Sequence, residues 1–467
     1  MSNALITDLY EVTMALSYLR EGMTAPATFS LFVRKPPPER GFLVAAGLEP
    51  ALDHLAGLRV DESDVAAFAE ALDRPYADLE PLLGLRFTGE LRAVPEGRIV
   101  LPGEPLLEVT APLPEAQFVE SYLLNQVCHQ SAVASKAARC VLAADGRPVV
   151  DFSLRRTHGV PAAAQAARLG ALVGFAGTSN VVAAHAYGLR AVGTMAHSYI
   201  EAFGDEAAAF RAFARAHPGP VTFLVDTYDT AAGVAVAADV LRESGLHEGC
   251  AVRLDSGDLG ALAVTARRIL DGAGLPGVRI TASGGLDEYG IDQLVRSGAP
   301  IDVFAVGTLV GVSADAPYLD AAYKLVEYDG RPMMKLSTGK VTAPGAKQVH
   351  RGPGLTDTIA LRDEPAPPGT DPLLRTVMVG GKRTGPPSTL ADARAAFEAD
   401  LAQLPSAARR IRSPQLPSAA VSERLSRLTA DVRQRIEDRV AALSTATGGR
   451  TESAGPVAGA RGGGSAG

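Results

Sequence analysis

Between residues 149 and 310 the chain repeats one grammar, a short β-rich apolar run followed by a spacer of helix length. The runs are "VVDF" (149–152), "ALVGFAGTS" (171–179), "LRAVGT" (189–194), "VTFLVDT" (221–227), "AVRLDSGD" (251–258), "VRITASGG" (278–285) and "IDVFAVGT" (301–308). Strands alternating with helices predict a parallel α/β fold, because parallel neighbours need a long crossover and that crossover covers the sheet. Seven runs predict an irregular seven-stranded parallel α/β barrel rather than a regular eight-fold one; an open sheet has the same pattern.

The flanks read differently. Thr7 or Asp8 can cap a first helix in which Leu9, Val12, Leu16 and Leu19 recur at helical spacing. Residues 27–49 read as two strands around a Pro-rich basic turn, and 89–113 as short strands punctuated by Gly and Pro. A helix is expected over Phe118–Leu142. After 320, "YKLVEYDGRPMMKLS" predicts a hairpin with an Asp-Gly turn. Val421, Leu425, Leu428, Val432, Ile436, Val440 and Leu443 mark an amphipathic C-terminal helix. The expected organisation is an N-terminal β-rich α+β domain (1–118), the α/β domain (119–325), a segment returning to the N-terminal domain (326–400), a C-terminal helical extension (401–445) and a disordered Gly/Ser/Ala tail (446–467).

Net charge is −7, which argues against non-specific nucleic-acid binding. Cys128, Cys140 and Cys250 lie too far apart for zinc-knuckle spacing, and a reduced cytoplasmic setting is expected. Apolar stretches are interrupted well before the ~20 residues of a membrane span, and the N-terminus lacks the basic start of a signal peptide.

Polar residues gather where the predicted strands end. In order they are Asp151 with Arg155 and Arg156, Thr178-Ser179-Asn180, Thr194 and His197, Asp226 with Asp229, Arg253 with Asp255 and Asp258, Ser283-Gly284-Gly285, and Gly307-Thr308. C-terminal strand ends form the active face of parallel α/β proteins. An Asp after a strand is also a common helix cap, so the weight lies in the repetition. "RLDSGDL" puts Arg253, Asp255 and Asp258 on one exit, which suits an anionic ligand beside a Mg²⁺-diphosphate, or else an ion pair closing the loop. The turns at Ser283-Gly284-Gly285 and Gly307-Thr308 can aim backbone N–H groups at phosphate, although tight turns need Gly in any case. Phe152 followed by Arg155 and Arg156 can sandwich a flat anionic ring, or form a solvated basic turn.

"TDLYEVTMALSY", "GFLVAAGLE", "DFSLRRTHG", "GTMAHS", "VRLDSGDL", "SGGLDE", "VGT" and "YKLV" stand in the order found in nicotinate phosphoribosyltransferases, and the chain resembles that family from about Thr7 to Arg351. The resemblance implies a type II phosphoribosyltransferase, a ligase-like pentosyltransferase of NAD salvage. It would make nicotinate mononucleotide and diphosphate from nicotinate and phosphoribosyl pyrophosphate, with ATP hydrolysis coupled through a phosphohistidine and with Mg²⁺ required. By motif the phosphohistidine is His197. Tyr10, Thr194 and Arg253 match nicotinate positions, Phe152, Arg155 and Ser179 are expected to join them, and Thr308 matches a phosphoribosyl pyrophosphate position. Asp255, Asp258, Ser283, Gly284, Gly285 and Gly307 are expected at the phosphates, with Asp255 a candidate for Mg²⁺. The Tyr10 position comes from the neighbouring subunit in relatives, which implies a homodimer with shared sites.

A neutral imidazole nitrogen carries the lone pair that a phosphoryl acceptor needs, and a carboxylate on the other nitrogen is expected to orient the ring. One departure stands out: Ser153 occupies a position that is commonly Gly. The rival within this architecture is a nicotinamide phosphoribosyltransferase, where an Asp matching Ser179 accepts from the carboxamide; Ser179 favours the acid. From another class, the rival is a non-catalytic barrel that binds sugar phosphates.

Overall fold

The computed structural model describes residues 2–336 and 342–451, with no side-chain description beyond Leu443. Two hydrophobic cores organise them. One surrounds a parallel sheet and includes Val149, Phe223, Val252, Ile280 and Phe304. The other includes Val12, Leu31, Leu91, Val109, Tyr323 and Met378.

The parallel sheet has six strands, not seven, in the order Gly177–Thr178, Val149–Asp151, Val303–Val306, Arg279–Ala282, Ala251–Leu254, Thr222–Leu224. The expected strand at 189–194 is reduced to one isolated bridge between Thr178 and Ala191. Its backbone makes two bonds to Thr178, from Val192 N–H and to Arg190 C=O, before the chain breaks away at Gly193. A single bridge nucleates no ladder. The strand predicted at 171–179 is likewise only Gly177–Thr178, because its first residues finish the helix Val160–Leu172. The strands and the Ala191 bridge line one cavity of about 430 Å³, with Val150, Ala191, Thr222, Ala251, Thr281 and Val303 among its walls.

A seven-stranded sheet organises the second core, ordered Arg331–Pro332, Asp320–Tyr328, Pro26–Lys35, Pro105–Pro112, Glu90–Ala93, Arg375–Val379, Lys382–Arg383. The chain thus returns to N-terminal strands after residue 320. The Asp-Gly hairpin forms as predicted: Asp329 and Gly330 take φ of 52° and 68°, the pair of positive values that a type I′ turn requires.

Two expectations are corrected, the first cap and the start of the C-terminal helix. In the first helix, Leu9–Arg20, Asp8 is the N-cap residue but makes no side-chain capping bond; it accepts instead from Ser121 Oγ at 2.6 Å. Helix Leu390–Gln403 buries Ala393 and Phe397 in the parallel-sheet core and also meets the N-terminal and returning segments, where Asp400 pairs with Arg98 at 2.8 Å and with Arg351 at 2.7 Å. Val421 belongs to a short strand, Ala420–Val421, paired with Ile359, and the helix begins at Glu423. Along that helix Leu425 and Val432 are buried, whereas Val440 and Leu443 are exposed. Of the expected tail, residues 452–467 lie outside the described residues.

Candidate active site

Parallel strands deliver their C-terminal ends to one edge, and there two joined cavities open, one of about 610 Å³ and one of about 210 Å³. Phe152, Arg155, Arg253 and Asp255 line both. The larger adds Ser179, Thr194 and His197; the smaller adds Arg156, Ser283, Gly284, Gly285, Gly307 and Thr308.

Arg253 organises the junction. It is 8 % exposed and uses its whole planar fork: Nε donates to Ser283 Oγ at 2.8 Å, Nη1 to Thr194 Oγ1 at 2.9 Å and Nη2 to Asp255 Oδ1 at 2.6 Å. Its guanidinium carbon stands 5.4 Å from the centre of the Phe152 ring. Burial alone would raise the Asp255 carboxyl, but hydrogen bonds from Ser283 and Arg253 outweigh it and hold the group below its ordinary range. Asp255 therefore presents a fixed negative charge beside a fixed positive one.

His197 opens the helix His197–Phe203, and its side chain is 40 % exposed in the larger cavity. Its Nδ1 lies 3.2 Å from Thr227 Oγ1, while Nε2 lies 3.9 Å from Asp255 Oδ2. The ring thus stands between a hydroxyl at hydrogen-bond distance and a carboxylate somewhat farther off. Beside it, Asp226 accepts from the Asp255 amide at 2.9 Å and from Ser256 Oγ at 2.7 Å, and its other carboxylate oxygen is buried without a hydrogen-bond partner.

Asp151 holds the aromatic turn in place. It accepts from Ser153 N at 2.9 Å and from Thr178 Oγ1 at 2.6 Å, and burial pushes its carboxyl above the ordinary range despite those bonds. Ser153 keeps an ordinary right-handed backbone, and its buried side chain packs towards Gly311, where an added Cβ would stand 2.6 Å from Ser153 Cβ. Ser153 lines neither cavity.

Gly284 has no substitute. Its φ is +92°, and a Cβ there would meet the Asp255 carbonyl oxygen at 1.9 Å. Gly284→Ala is expected to destabilise the fold by roughly 1–3 kcal/mol through backbone strain and that clash. Denaturant unfolding checks this; an unchanged midpoint would contradict it.

Two predicted site residues lie elsewhere. Asp258 caps the helix Leu259–Gly272, accepting from Gly260 N and Ala261 N at 3.1 Å, and lines neither cavity. Tyr10 sits on the first helix, 45 % exposed and outside the cavities of its own chain. Sequence reasoning assigned no role to Thr227 or Asp226; a hydroxyl after a strand carries no signal that separates it from a turn residue.

Residues 5–128 match the nicotinate phosphoribosyltransferase (NAPRTase) N-terminal domain, and residues 148–308 match the NAPRTase family. The nicotinate phosphoribosyltransferase pncB2 of Mycobacterium tuberculosis is 49 % identical over 387 residues, covering 81 % of this chain and 82 % of the relative. The chain belongs to the nicotinate phosphoribosyltransferase family. The Bacillus subtilis family member is 42 % identical over 378 residues, covering 78 % of this chain and 77 % of its own. The crystal structure of human nicotinic acid phosphoribosyltransferase superimposes with a TM-score of 0.80 at 31 % identity, over 91 % of this chain and 99 % of that one. The resemblance read from the sequence is therefore borne out over both matched regions.

Proposed function

We propose that the protein transfers the phosphoribosyl group of phosphoribosyl pyrophosphate to nicotinate, giving nicotinate mononucleotide and diphosphate in NAD salvage, with ATP hydrolysis coupled through phosphorylation of His197. The observation that carries this is the Arg253 fork, a desolvated cation fixed between an aromatic face, two glycine turns and an imidazole. We include in the proposal an irregular barrel, supported by the cavity that the strands and the Ala191 bridge share.

The nicotinate carboxylate accepts from Arg253 and Thr194 while its ring lies against Phe152. The N–H groups of Gly284, Gly285, Gly307 and Thr308, with Arg155 and Arg156, take the phosphates of the sugar substrate, while the Ser283 amide is held by the Leu254 carbonyl at 2.8 Å. As the C1–O bond lengthens, negative charge grows on the departing diphosphate and the pyridine nitrogen attacks C1. That nitrogen carries no proton, so catalysis is positioning and charge stabilisation rather than acid–base work. The imidazole of His197 attacks the terminal phosphate of ATP, ADP leaves, and the bound phosphoryl group is later passed to water. Thr227 fixes the ring for that step.

The donor set fits Mg²⁺ arriving with the diphosphate. Asp255 is held ionised and Asp226 keeps one buried oxygen free of hydrogen bonds, while among the described residues no group of three metal-ligating side chains forms a full cage. Asp255 and Asp226 would hold the cation, which supplies charge neutralisation at the phosphates. A homodimer in which Tyr10 completes the partner's site is supported by the position of Tyr10 on an exposed face, beside exposed Leu5, Ile6 and Leu9. Among the described residues no helix is long and apolar enough to cross a membrane; a cytoplasmic setting is part of the proposal.

Ser179 decides between acid and amide. A carboxylate at this position would repel nicotinate by up to about 4 kcal/mol at 4 Å with an effective dielectric near 20. Ser179→Asp is expected to cut kcat/KM for nicotinate by as much as about 10³-fold and to shift preference towards nicotinamide. Full activity on nicotinate in this variant, measured by product formation, would contradict the assignment.

A further inference from the structure

Behind the two glycine turns of the smaller cavity lies a group of buried charges that the mechanism above does not use. Glu288 begins the helix Glu288–Arg296 just after the turn at Ser283–Gly285, and it is fully buried. Asp315 lies one short helix, Thr308–Gly311, beyond the turn at Gly307–Thr308. Lys136, in the helix Glu120–Ala143, reaches both: its ammonium stands 2.6 Å from Glu288 Oε2 and 3.0 Å from Asp315 Oδ1, and 3.8 Å from Asp287 Oδ2.

Two arginines flank it, and each serves one carboxylate. Arg40 binds Asp315 with Nε and Nη2 at 3.1 and 3.0 Å, and Arg139 binds Glu288 through Nε at 3.0 Å. If the group only neutralised charge, these arginines would suffice for their partners. The two strands are themselves neighbours in the sheet, and beyond their ends Lys136 pairs with a carboxylate from each exit. Its side chain is 1 % exposed and lines neither cavity. Burial by itself would lower the ammonium's pKa, and Glu288 with Asp315 more than offset this, so the bridge stays charged.

We propose that Lys136 is a positioning residue that fixes the spacing between the turns Ser283–Gly285 and Gly307–Thr308, and thereby sets affinity for the sugar diphosphate without touching it. The identity of that ligand rests on the function proposed above; the bridge itself is a property of the free protein.

The test compares the wild type with Lys136→Met and with the double variant Lys136→Met/Glu288→Gln, which restores the net charge of the cluster without restoring the bridge. Without ligand, amide hydrogen exchange over 283–286 and 307–312 is expected to quicken about tenfold in both variants. The KM for phosphoribosyl pyrophosphate is expected to rise about tenfold in both, with the KM for nicotinate within about twofold of wild type. Thermal stability should fall in the single variant and recover in the double one. A double variant that regains wild-type exchange and KM would show charge neutralisation only and overturn the proposal, as would reduced stability with unchanged exchange. If the wild type does not turn over phosphoribosyl pyrophosphate, the functional assignment fails, and the exchange measurement still decides the bridge.

Discussion

His197→Ala is expected to remove ATP coupling while leaving a slow transfer that ignores ATP. The side chain is 40 % exposed, and its nearest polar neighbours are Thr227 and, at 3.9 Å, Asp255, so its loss disturbs little else. Arg253, Phe152, Thr194 and the glycine turns keep their positions and still bind both substrates. What disappears is the acceptor of the phosphoryl group, and with it any extra grip on the sugar diphosphate. One or two charge-assisted contacts correspond to about 1.5–3 kcal/mol, hence a rise of roughly 10- to 100-fold in the KM for phosphoribosyl pyrophosphate when ATP is present. The check is the number of ATP molecules consumed per nicotinate mononucleotide formed. An unchanged ratio in the variant would refute the role of His197.

Arg253→Lys is expected to be almost as damaging as Arg253→Met. Three bonds leave the guanidinium in three directions, to Thr194, Asp255 and Ser283, and a lysine ammonium on a flexible stem cannot reproduce that fork. Truncating a buried, hydrogen-bonded cation costs about 2–5 kcal/mol, so kcat/KM for nicotinate should fall by roughly 10²–10³-fold in either variant. The Asp255 carboxyl, held down partly by Arg253, should rise towards and above its ordinary range. The wild type loses the stability of its depressed carboxyl as pH falls below the ordinary Asp range; in the variant that acid-side loss disappears, and once the carboxyl lies above its unfolded value acidification favours the folded state instead. Steady-state kinetics with denaturation at several pH values checks both effects; a lysine variant within threefold of wild type would contradict the fork's role.

Much of this site was legible because chemistry in a parallel sheet is collected by topology. Once the runs at 149–152, 251–258, 278–285 and 301–308 read as parallel strands, their exits had to meet at one edge, and Phe152, Arg253, Ser283 and Thr308 do meet there. Illegible were features that depend on how segments distant in sequence lie against each other. The apolar run at 189–194 has strand composition, yet with partners on one side only it forms a single bridge. Asp255 and Asp258 stand three residues apart after one strand; the first faces Arg253 and the second spends its carboxylate on a helix N-terminus, and no local signal separates those fates. Lys136 reads as a polar residue on a helix and is buried by Glu288 and Asp315, which arrive from two strand exits far along the chain. The side chain of Ser153 fits because Gly311 opposite it has none; a Cβ there would stand 2.6 Å from Ser153 Cβ.

The central claim is that one hollow at the strand ends joins nicotinate to a phosphoribosyl group. Mixing the purified protein with nicotinate, phosphoribosyl pyrophosphate and Mg²⁺, with and without ATP, and measuring released diphosphate against nicotinate mononucleotide tests it most directly. Equal amounts of the two products, formed faster with ATP, are predicted; no diphosphate under either condition would contradict it.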